Sequence, residues 1–472
     1  MSDPPEDASG PPTTPAPYRV DLTRGGLLRG LAMLVWPIML ASLLQALVGF
    51  TDVLFVGRLP DATAALAAVN MCWKVVFVVM VIVFAVTTGS QVIVSRSVGA
   101  GDLHTAQRAT GQAFLLLELL VGLVLTPLGL YLAPWLLRVT GATPELEAIG
   151  TPYLRAMFLT GPAMLTSFLF ASSLQGAGDS RSPLILNALI NVLNAGLNWA
   201  LIFGHLGLPA LGVMGSALGT FTARWVGAAA ALMLMSSGRL ALSVNWAAHL
   251  KPDFGMWWRM LRIGVPSALQ GLVRALSGWI VVRILALTPD VEAVIGGNAI
   301  AEQILMLSAF IGFAAMPAGM TVVGQNLGAG QPERAESGAW AVVKLAVGLT
   351  AVPIVAYVLA APFWVRLVGR EASPEALAYG ATALRILAVG DVCWAANMAL
   401  GGALRGGGDT VSPLIFTVVT QLLMGIGAGA LIVAYTPAGP PGLWGAVVVA
   451  MYAQSAITIW WFRRGRWKTL AV

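Results

Sequence analysis

A single acidic side chain interrupts the first long apolar stretch of the chain. Between Leu31 and Gly57 the only charged residue is Asp52. A low-dielectric surrounding favours the protonated form of a carboxyl group, so this side chain could bind and release a proton or a cation as its environment changes. A structural ion pair near a membrane interface is the alternative. We interpret Asp52 as an ion-binding group.

A polar face follows in the fifth apolar stretch, "LNALINVLNAGLNWALIFG". Asn191, Asn194 and Asn198 recur there at spacings of three and four, which places them on one face of a helix. Such a face can bind a polar ligand. It can also hold neighbouring helices together by hydrogen bonds.

Further charges lie deep inside other apolar stretches. Lys74 lies at a depth similar to that of Asp52, with which it could pair, or its ammonium could extend to the membrane surface. The matching position in the second half of the chain is Gln303, beside Glu302. Both halves are therefore predicted to be polar at this depth.

Arg274 is the other unusual charge, eight residues after Pro266. A guanidinium cannot bind a cation. It could pair with Glu302 or Asp391, or it could receive an anionic group of a ligand. The residues that we expect to line a central cavity are Met33, Trp36, Gln45, Asn191, Arg274, Glu302, Gln303 and Asp391, with Met39, Met71 and Trp73 as weaker candidates.

Motifs typical of enzymes do not occur. The stretch "RGGGDT" lacks the lysine of a phosphate-binding loop, and neither HExxH nor GxSxG is found. Cys72 and Cys393 are isolated within apolar stretches, which indicates packing rather than a disulfide framework or a zinc site. We therefore expect neither an enzyme nor an ATP-driven pump, and no cofactor.

Composition places most of the chain in a membrane. Hydrophobic residues make up 58% of the 472 residues and charged residues only 10%, far below the roughly 25% charge of a soluble domain. The first 25 residues are polar and proline-rich and are predicted to form a disordered tail. Splitting the apolar runs predicts twelve helices, at 28–57, 64–95, 107–133, 145–173, 182–204, 210–236, 258–287, 292–325, 335–362, 374–403, 411–435 and 441–462.

Basic residues are distributed unevenly between the loops. With the N-terminus inside, only Arg58, Arg138, Arg366 and Arg370 lie in outer segments. The positive-inside rule then places both termini in the cytoplasm of a plasma (inner) membrane protein. The net charge of +6 is interpreted as this topology signal, and no nucleic acid is expected as a partner.

An internal repeat divides the chain. "SLQGAGDSRSPLI" at 173–185 aligns with "ALRGGGDTVSPLI" at 403–415, and "VGAGD" at 98–102 aligns with "LGAGQ" at 327–331. An even number of spans separates the copies, so the halves are parallel repeats. We expect an N-lobe at 26–236, a cytoplasmic linker at 237–257, a C-lobe at 258–463 and a cytoplasmic tail at 464–472.

These features together resemble the multidrug and toxin extrusion (MATE) family, and a charge-poor second lobe with the membrane carboxylate in the first lobe resembles its DinF-like branch. The motifs are "WPIMLASLLQALVGFTDVLFVGRL", the paired "QGAGDS" and "RGGGDT" loops, "VGAGD" and "LNAGLNWALIFG". The resemblance implies an all-α membrane protein of two parallel six-helix repeats. It further implies an antiporter that exports cationic or amphipathic compounds in exchange for H⁺ or Na⁺.

The resemblance also assigns site residues. Asp52 matches the family's first-span acid, Asn194 its cation-site asparagine and Thr220 its sixth-span threonine. Asn198 is a departure, because some members carry a second aspartate there. A Na⁺ site formed by these residues would thus have one carboxylate, whereas a hard cation prefers charged oxygen ligands. We therefore expect H⁺ rather than Na⁺, with Lys74 as a possible counter-ion.

The second lobe departs from the family pattern, since Arg274 stands where some relatives carry an acid and Asp391 lies near, but not at, the tenth-span acid of other branches.

A flippase for lipid-linked precursors, from the same superfamily, is the alternative function, although such proteins typically carry extra spans. A channel fits duplicated halves poorly. We expect a monomer whose partners are the transported compound, the coupling ion and membrane lipids.

Overall fold

The computed structural model describes residues 20–56, 58, 62–249 and 251–470, and this part of the chain contains twelve helices that are long and apolar enough to cross a membrane. They confirm the predicted all-α fold. The helices are α1 Leu27–Val56, α2 Ala62–Gly99, α3 Leu103–Val139, α4 Pro144–Gly176, α5 Arg181–Phe203, α6 Val213–Ser236, α7 Phe254–Leu285, α8 Val291–Gly328, α9 Pro332–Leu359, α10 Pro374–Gly406, α11 Val411–Tyr435 and α12 Gly439–Arg463.

Several helices extend beyond their apolar cores on the side where the termini lie, which we call the termini side. Helix α3 begins at Leu103 because the Asp102 carboxylate accepts the backbone N–H of Thr105 at 2.9 Å. Helix α7 begins at Phe254, inside the stretch predicted as a linker, and Asp253 accepts the N–H of Met256 at 3.1 Å. Capping aspartates satisfy backbone donors at a helix start, so hydropathy alone placed these starts too late.

The loops after α4 and α10 share one geometry. Gly178 and Gly408 both have φ of 90°, a left-handed conformation that glycine adopts without strain. The N–H of the next residue then bonds to the carbonyl five residues earlier, at 2.8 Å for Asp179 and 2.9 Å for Asp409. This is a helix-ending motif that satisfies free carbonyl groups. The aligned loop sequences therefore fold alike.

Glycines let the two halves approach closely on the termini side. A Cβ atom at Gly264 of α7 would lie against the backbone of Ala85, and one at Gly89 of α2 would lie against the backbone of Met260. The side chain of Gln91 adds hydrogen bonds across this interface to α8. The α2–α7 and α2–α8 contacts therefore close the molecule on the termini side.

The two chain ends reinforce this closure. Val20 bonds through its N–H to the carbonyl of Gly178 at 3.1 Å, and Arg334 of α9 donates to the carbonyl of Leu22 at 3.1 Å. Leu22 is only 1% exposed. The predicted tail 1–25 is therefore wrong for its last residues, because a buried leucine anchors them; residues 1–19 lie outside the described part of the chain.

The C-terminal segment is likewise packed rather than free. Trp467 is fully buried and stacks on Phe462, with ring centroids 4.6 Å apart. Arg96 of α2 donates to the carbonyls of Gly407 and Leu470, both at 3.0 Å. Residues 464–470 thus tie the second half to the first. The exact division into an N-lobe and a C-lobe stays a prediction.

Candidate transport site

Three polar side chains of the predicted coupling site meet between α5 and α6. Asn194 donates from Nδ2 to Oγ1 of Thr220 at 3.0 Å, and Asn198 donates from Nδ2 to Oδ1 of Asn194 at 3.3 Å. All three are buried. Gly219 makes room for them, because a Cβ there would collide with the Asn198 side chain. The structure thus brings together residues that the sequence placed on two separate helices.

Helices α1 and α5 pack side by side, and they run in the same direction, because their contacts advance together along both helices. Asn191 donates from Nδ2 to the carbonyl of Leu44 at 3.0 Å. Further along both helices, the rings of Phe55 and Phe203 lie 5.9 Å apart, centroid to centroid. The two contacts are separated by nearly the same number of residues on α1 as on α5, so together they fix the register between the helices.

This register determines the level of Asp52. Since Asp52 lies between Leu44 and Phe55 on α1, its backbone lies level with Trp199 and Ala200 on α5, next to Asn198. The side chain of Asp52 is outside the part of the chain that the structure describes. The backbone nevertheless places the only acid of α1 beside the buried amide cluster.

A cavity of about 450 Å³ lies between the two halves, next to this cluster. Thr220 and Gln45 line it from the first half, and Met306 and Phe310 of α8 line it from the second. Arg224 contributes a buried charge to the wall. The coupling cluster therefore borders a space large enough for a drug-sized molecule.

Some predicted cavity residues lie in this wall and others do not. Gln45 and Trp73 line the cavity, whereas Met33 and Trp36 do not. Gln303 shares a face of α8 with Met306, at the helical spacing of three. Four methionines of the wall were not predicted as cavity residues, although two of them recur seven residues apart on α4. These methionines are Met80, Met157, Met164 and Met306.

Lys74 lies on a neighbouring face of α2. Its exposed side chain lines an apolar groove of about 530 Å³ that is bordered by α3 and by Trp279 of α7. Trp73, by contrast, lines the cavity between the halves. The proposed pairing of Lys74 with Asp52 stays a prediction, since the Asp52 side chain is not described.

The second half holds a cavity of its own, of about 260 Å³. Arg274, Glu302 and Asp391 all line it, as expected from sequence. Asn298 donates to Oε1 of Glu302 at 2.9 Å, and Ser308 donates to Asp391. The structure therefore gathers the three charges in one place.

The expected ion pairs of Arg274 do not form. No carboxylate of the described residues lies within 4.0 Å of its guanidinium nitrogens, and its Nη1 instead donates to Sδ of Met398 at 3.2 Å. Glu302 is held by Asn298, one turn earlier on α8, and Asp391 by Ser308 of α8. The pairing alternative is wrong for this conformation, and an anionic ligand remains the open one.

Within the described ranges, no group of three or more His, Cys, Asp or Glu side chains could hold a metal ion. In the amide cluster, Oδ1 of Asn194 already accepts a hydrogen bond from Asn198. Direct contact with Na⁺ would have to displace that bond.

A sequence model of the MatE family matches residues 37–200 and 266–431. These two matches cover more than half of the chain, and they begin at Pro37 and Pro266, which are 229 residues apart, as are the aligned stretches "VGAGD" and "LGAGQ". The chain belongs to the MatE family. Members of this family are transporters rather than enzymes, in agreement with the missing catalytic motifs.

Among curated relatives of this MatE protein are two bacterial proteins. "Probable multidrug resistance protein NorM" from Thermotoga maritima is 27% identical over 446 residues, which span 94% of this chain and 93% of the relative. "Multidrug resistance protein PmpM" from Pseudomonas aeruginosa is 28% identical over 433 residues, which span 90% and 88%. Both alignments include nearly the whole chain.

Solved structures share the MatE fold at lower sequence identity. One, of a multidrug resistance MATE family transporter in an outward-facing conformation, superposes with a TM-score of 0.86 at 23% identity, covering 96% of this chain and 98% of that one. Another, of a MOP superfamily transporter from Pyrococcus furiosus, gives 0.87 at 22% identity, covering 97% and 100%. The twelve-helix fold is therefore that of this family.

Proposed function

We propose that the protein is a secondary-active multidrug antiporter that exports cationic or amphipathic organic compounds in exchange for H⁺. The observation that carries the proposal is the cavity between the halves, whose wall includes Thr220 of the buried Asn194–Thr220–Asn198 cluster. A drug-sized space thus adjoins a site where an ion can act. The names of the NorM and PmpM relatives support the substrate class.

The packing of the helices supports alternating access. On the termini side, backbone contacts at Gly89 and Gly264 close the space between the halves. Access from that side requires α2 to separate from α7 and α8 while each half stays intact. Parallel repeats that rock about a central site move in this way.

The coupling ion is inferred from the uncharged amide cluster that lies close to the level of the Asp52 backbone. Asn194, Asn198 and Thr220 carry no charge and are already hydrogen-bonded to one another. A carboxylate placed beside them gains stability on protonation, because burial favours the uncharged form. Proton uptake from the far side would remove the negative charge that attracts a cationic compound, and this compound would then be released.

The wall of the cavity fits varied substrates. Methionine side chains are flexible and polarizable, so they can adapt to ligands of different shape. The four methionines of the wall come from α2, α4 and α8. Broad selectivity for amphipathic compounds is the function that such a surface supports best.

The remaining expectations belong to the same proposal. The protein would act as a monomer in the plasma (inner) membrane, surrounded by lipids, with both termini cytoplasmic; Arg96, Arg334 and Lys468, all on the termini side, agree with the positive-inside rule. Membership of the DinF-like branch stays a prediction. The flippase alternative is less well supported, since twelve spans and two multidrug resistance relatives favour an exporter.

The proposal is tested in proteoliposomes that contain the purified protein and a fluorescent lipophilic cation such as ethidium. An imposed pH gradient should drive ethidium transport, and a Na⁺ gradient at constant pH should not. Transport driven only by Na⁺ would replace the coupling ion. The absence of transport under either gradient would contradict the proposed function.

A further inference from the structure

A group of arginines and tryptophans surrounds the end of α12 on the termini side, where the sequence reads "WWFRRGRWK". Arg463, Arg464 and Arg466 are all exposed. No carboxylate of the described residues lies within 4.0 Å of their guanidinium nitrogens. The nearby Lys468, by contrast, is paired with Glu336 at 2.5 Å. Three positive charges therefore have no ionic partner in the described part of the chain.

The rings of two tryptophans hold two of these arginines in place. Cζ of Arg464 lies 3.7 Å from the ring centroid of Trp460, one helical turn earlier on α12. Cζ of Arg463 lies 5.7 Å from the ring centroid of Trp340 on α9. An aromatic face attracts a guanidinium, but it leaves the N–H groups at the edge of that planar group without an acceptor. These donors are thus oriented and still available to an anion.

The turn after α12 brings the third arginine to the same place. Gly465 has φ of 72°, a left-handed conformation that favours glycine, and the N–H of Lys468 bonds back to the carbonyl of Gly465 at 3.0 Å. Cζ of Arg466 then lies 5.7 Å from the ring centroid of Trp461. The turn therefore gathers the guanidinium groups at one helix end.

An exposed stripe of α12 leads directly to this cluster. Val449, Tyr452, Ala456 and Trp460 are exposed at spacings of three and four residues, so they lie on one face of the helix. The helix has 25 residues. At about 1.5 Å per residue it is longer than the hydrocarbon core of a bilayer, which is roughly 30 Å thick. Trp460 and Arg464, at the end of the stripe, therefore lie at the level of the lipid headgroups.

The corresponding helix end in the first half has no such cluster. Helix α6 ends at Ser236, and the residues before it are Met233, Leu234 and Met235. The next basic residue is Arg239. Basic residues scattered through the loops would be enough to set the topology. Three arginines over three tryptophans at one helix end therefore call for a further explanation.

We propose that this cluster binds the headgroup of an anionic phospholipid, with the phosphate on the three arginines and the acyl chains along Trp460 and the exposed stripe. A phosphate accepts several charge-assisted hydrogen bonds from arginine. A soluble anion would satisfy only the charges. A phospholipid matches both the charges and the apolar surface beside them.

Occupation of this site stabilises the closed termini side. Trp467, next to Arg466, is fully buried and stacks on Phe462. Arg96 of the first half donates to the carbonyl of Leu470 in the same segment, at 3.0 Å. A lipid that holds Arg466 orders this segment, and it thereby favours the conformation in which Arg96 is bound.

Native mass spectrometry of the full-length protein in detergent tests the site by lipid class. Phosphatidylglycerol should bind about tenfold or more tightly than phosphatidylcholine with the same acyl chains, because its net negative charge is attracted by each nearby arginine. Arg463→Gln/Arg464→Gln should remove most of this preference. The control Arg366→Gln/Arg370→Gln removes two exposed arginines from the opposite side and should retain it. Equal preference in the two double variants, or none in the unmodified protein, would overturn the proposal.

Two further measurements distinguish a lipid from a soluble anion. Inorganic phosphate or glycerol 3-phosphate, at the same free concentration, should not displace phosphatidylglycerol. Trp460→Ala should weaken lipid binding, and Trp460→Phe should retain most of it. Full displacement by either soluble anion would overturn the lipid assignment, and unchanged binding by Trp460→Ala would contradict the role of the apolar surface.

The effect on closure is measured with Gln91→Cys in nanodiscs, with the unmodified protein giving the background of the buried Cys72 and Cys393. The reaction of Gln91→Cys with a thiol reagent should be slower with phosphatidylglycerol than with phosphatidylcholine alone, and adding Arg466→Gln should remove this difference. Equal rates in both lipids would contradict the link to closure. Neither measurement requires transport, so a failure of the antiporter proposal would leave the lipid site standing.

Discussion

Two groups of buried polar side chains in this protein differ in their hydrogen bonding. The Asn194–Thr220–Asn198 cluster bonds within itself and stays neutral. The arginines Arg274 and Arg405 keep unsatisfied nitrogens in the interior. A neutral cluster adds no charge beside a proton site, whereas a buried guanidinium nitrogen without an acceptor costs free energy.

The aspartates of the two repeated loops have a structural role. Asp409 accepts the backbone N–H of Ser412 at 3.1 Å and Nε1 of Trp461 at 2.7 Å. We predict that Asp409→Asn lowers stability by about 1–2 kcal/mol, because an amide can keep only one acceptor oxygen. Thermal unfolding should show the loss while the dependence of transport on pH stays unchanged. A fully stable variant that has lost only its pH dependence would show the assignment to be wrong.

His249 gives the termini-side linker a pH-dependent contact. Burial lowers the pKa of His249, and the positive charges of His104 and Arg108 lower it further. The unfolded chain, with a histidine pKa of about 6.5, therefore binds this proton more readily than the folded protein. The contribution of His249 to stability is complete above that value and is lost as the pH falls below it.

We accordingly predict that the unfolding midpoint decreases between pH 7 and pH 5, and that His249→Gln makes this decrease smaller. His205→Gln, at the opposite end of the molecule, serves as the control. Identical pH profiles for His249→Gln and the unmodified protein would contradict this role. The midpoint is measured by a thermal scan of the purified protein at each pH.

At the scale of helices, the closure of the termini side depends on α2, α7 and α8. Glycine at the contact points allows backbone to meet backbone, as at Gly89 and Gly264. The chain ends add polar contacts through Arg96 and Arg334. These contacts must break together when the halves separate, so they set the balance between the two access states.

Gly264→Val tests this balance, since the added Cβ would lie against the backbone of Ala85. Overpacking costs about 1–3 kcal/mol, so we predict a shift away from the closed termini side by roughly tenfold or more. A cysteine at position 91 should become more reactive toward a thiol reagent added from that side. Gly271→Val, two turns further along α7 and free of close neighbours, should have no such effect. Equal reactivity in both variants would refute the closure role.

For the whole molecule, the sequence predicts the number of spans, the parallel repeat, the three charged residues that line the cavity of the second half, and Gln45 and Thr220 in the cavity between the halves. Hydropathy indicates which segments lie in lipid, and the repeated glycine loops indicate where the chain reverses. Both properties can be read from a short stretch of sequence. The sequence does not predict that residues 20–25 pack between the halves. Nor does it predict that Arg274 forms no ion pair with Glu302 or Asp391, or that four methionines line the wall of the cavity between the halves. Those outcomes depend on packing between distant segments, which no local pattern specifies.

The most direct test of proton coupling through Asp52 compares Asp52→Asn with the unmodified protein in proteoliposomes. Two activities are measured for each protein: pH-driven ethidium transport, and ethidium–ethidium exchange in ethidium-loaded proteoliposomes. Asparagine resembles the protonated carboxyl group but cannot release a proton. We predict that exchange without a pH gradient persists, while pH-driven accumulation falls to the level of protein-free liposomes. Full pH-driven accumulation by Asp52→Asn would contradict the central claim that this carboxyl group couples proton entry to export.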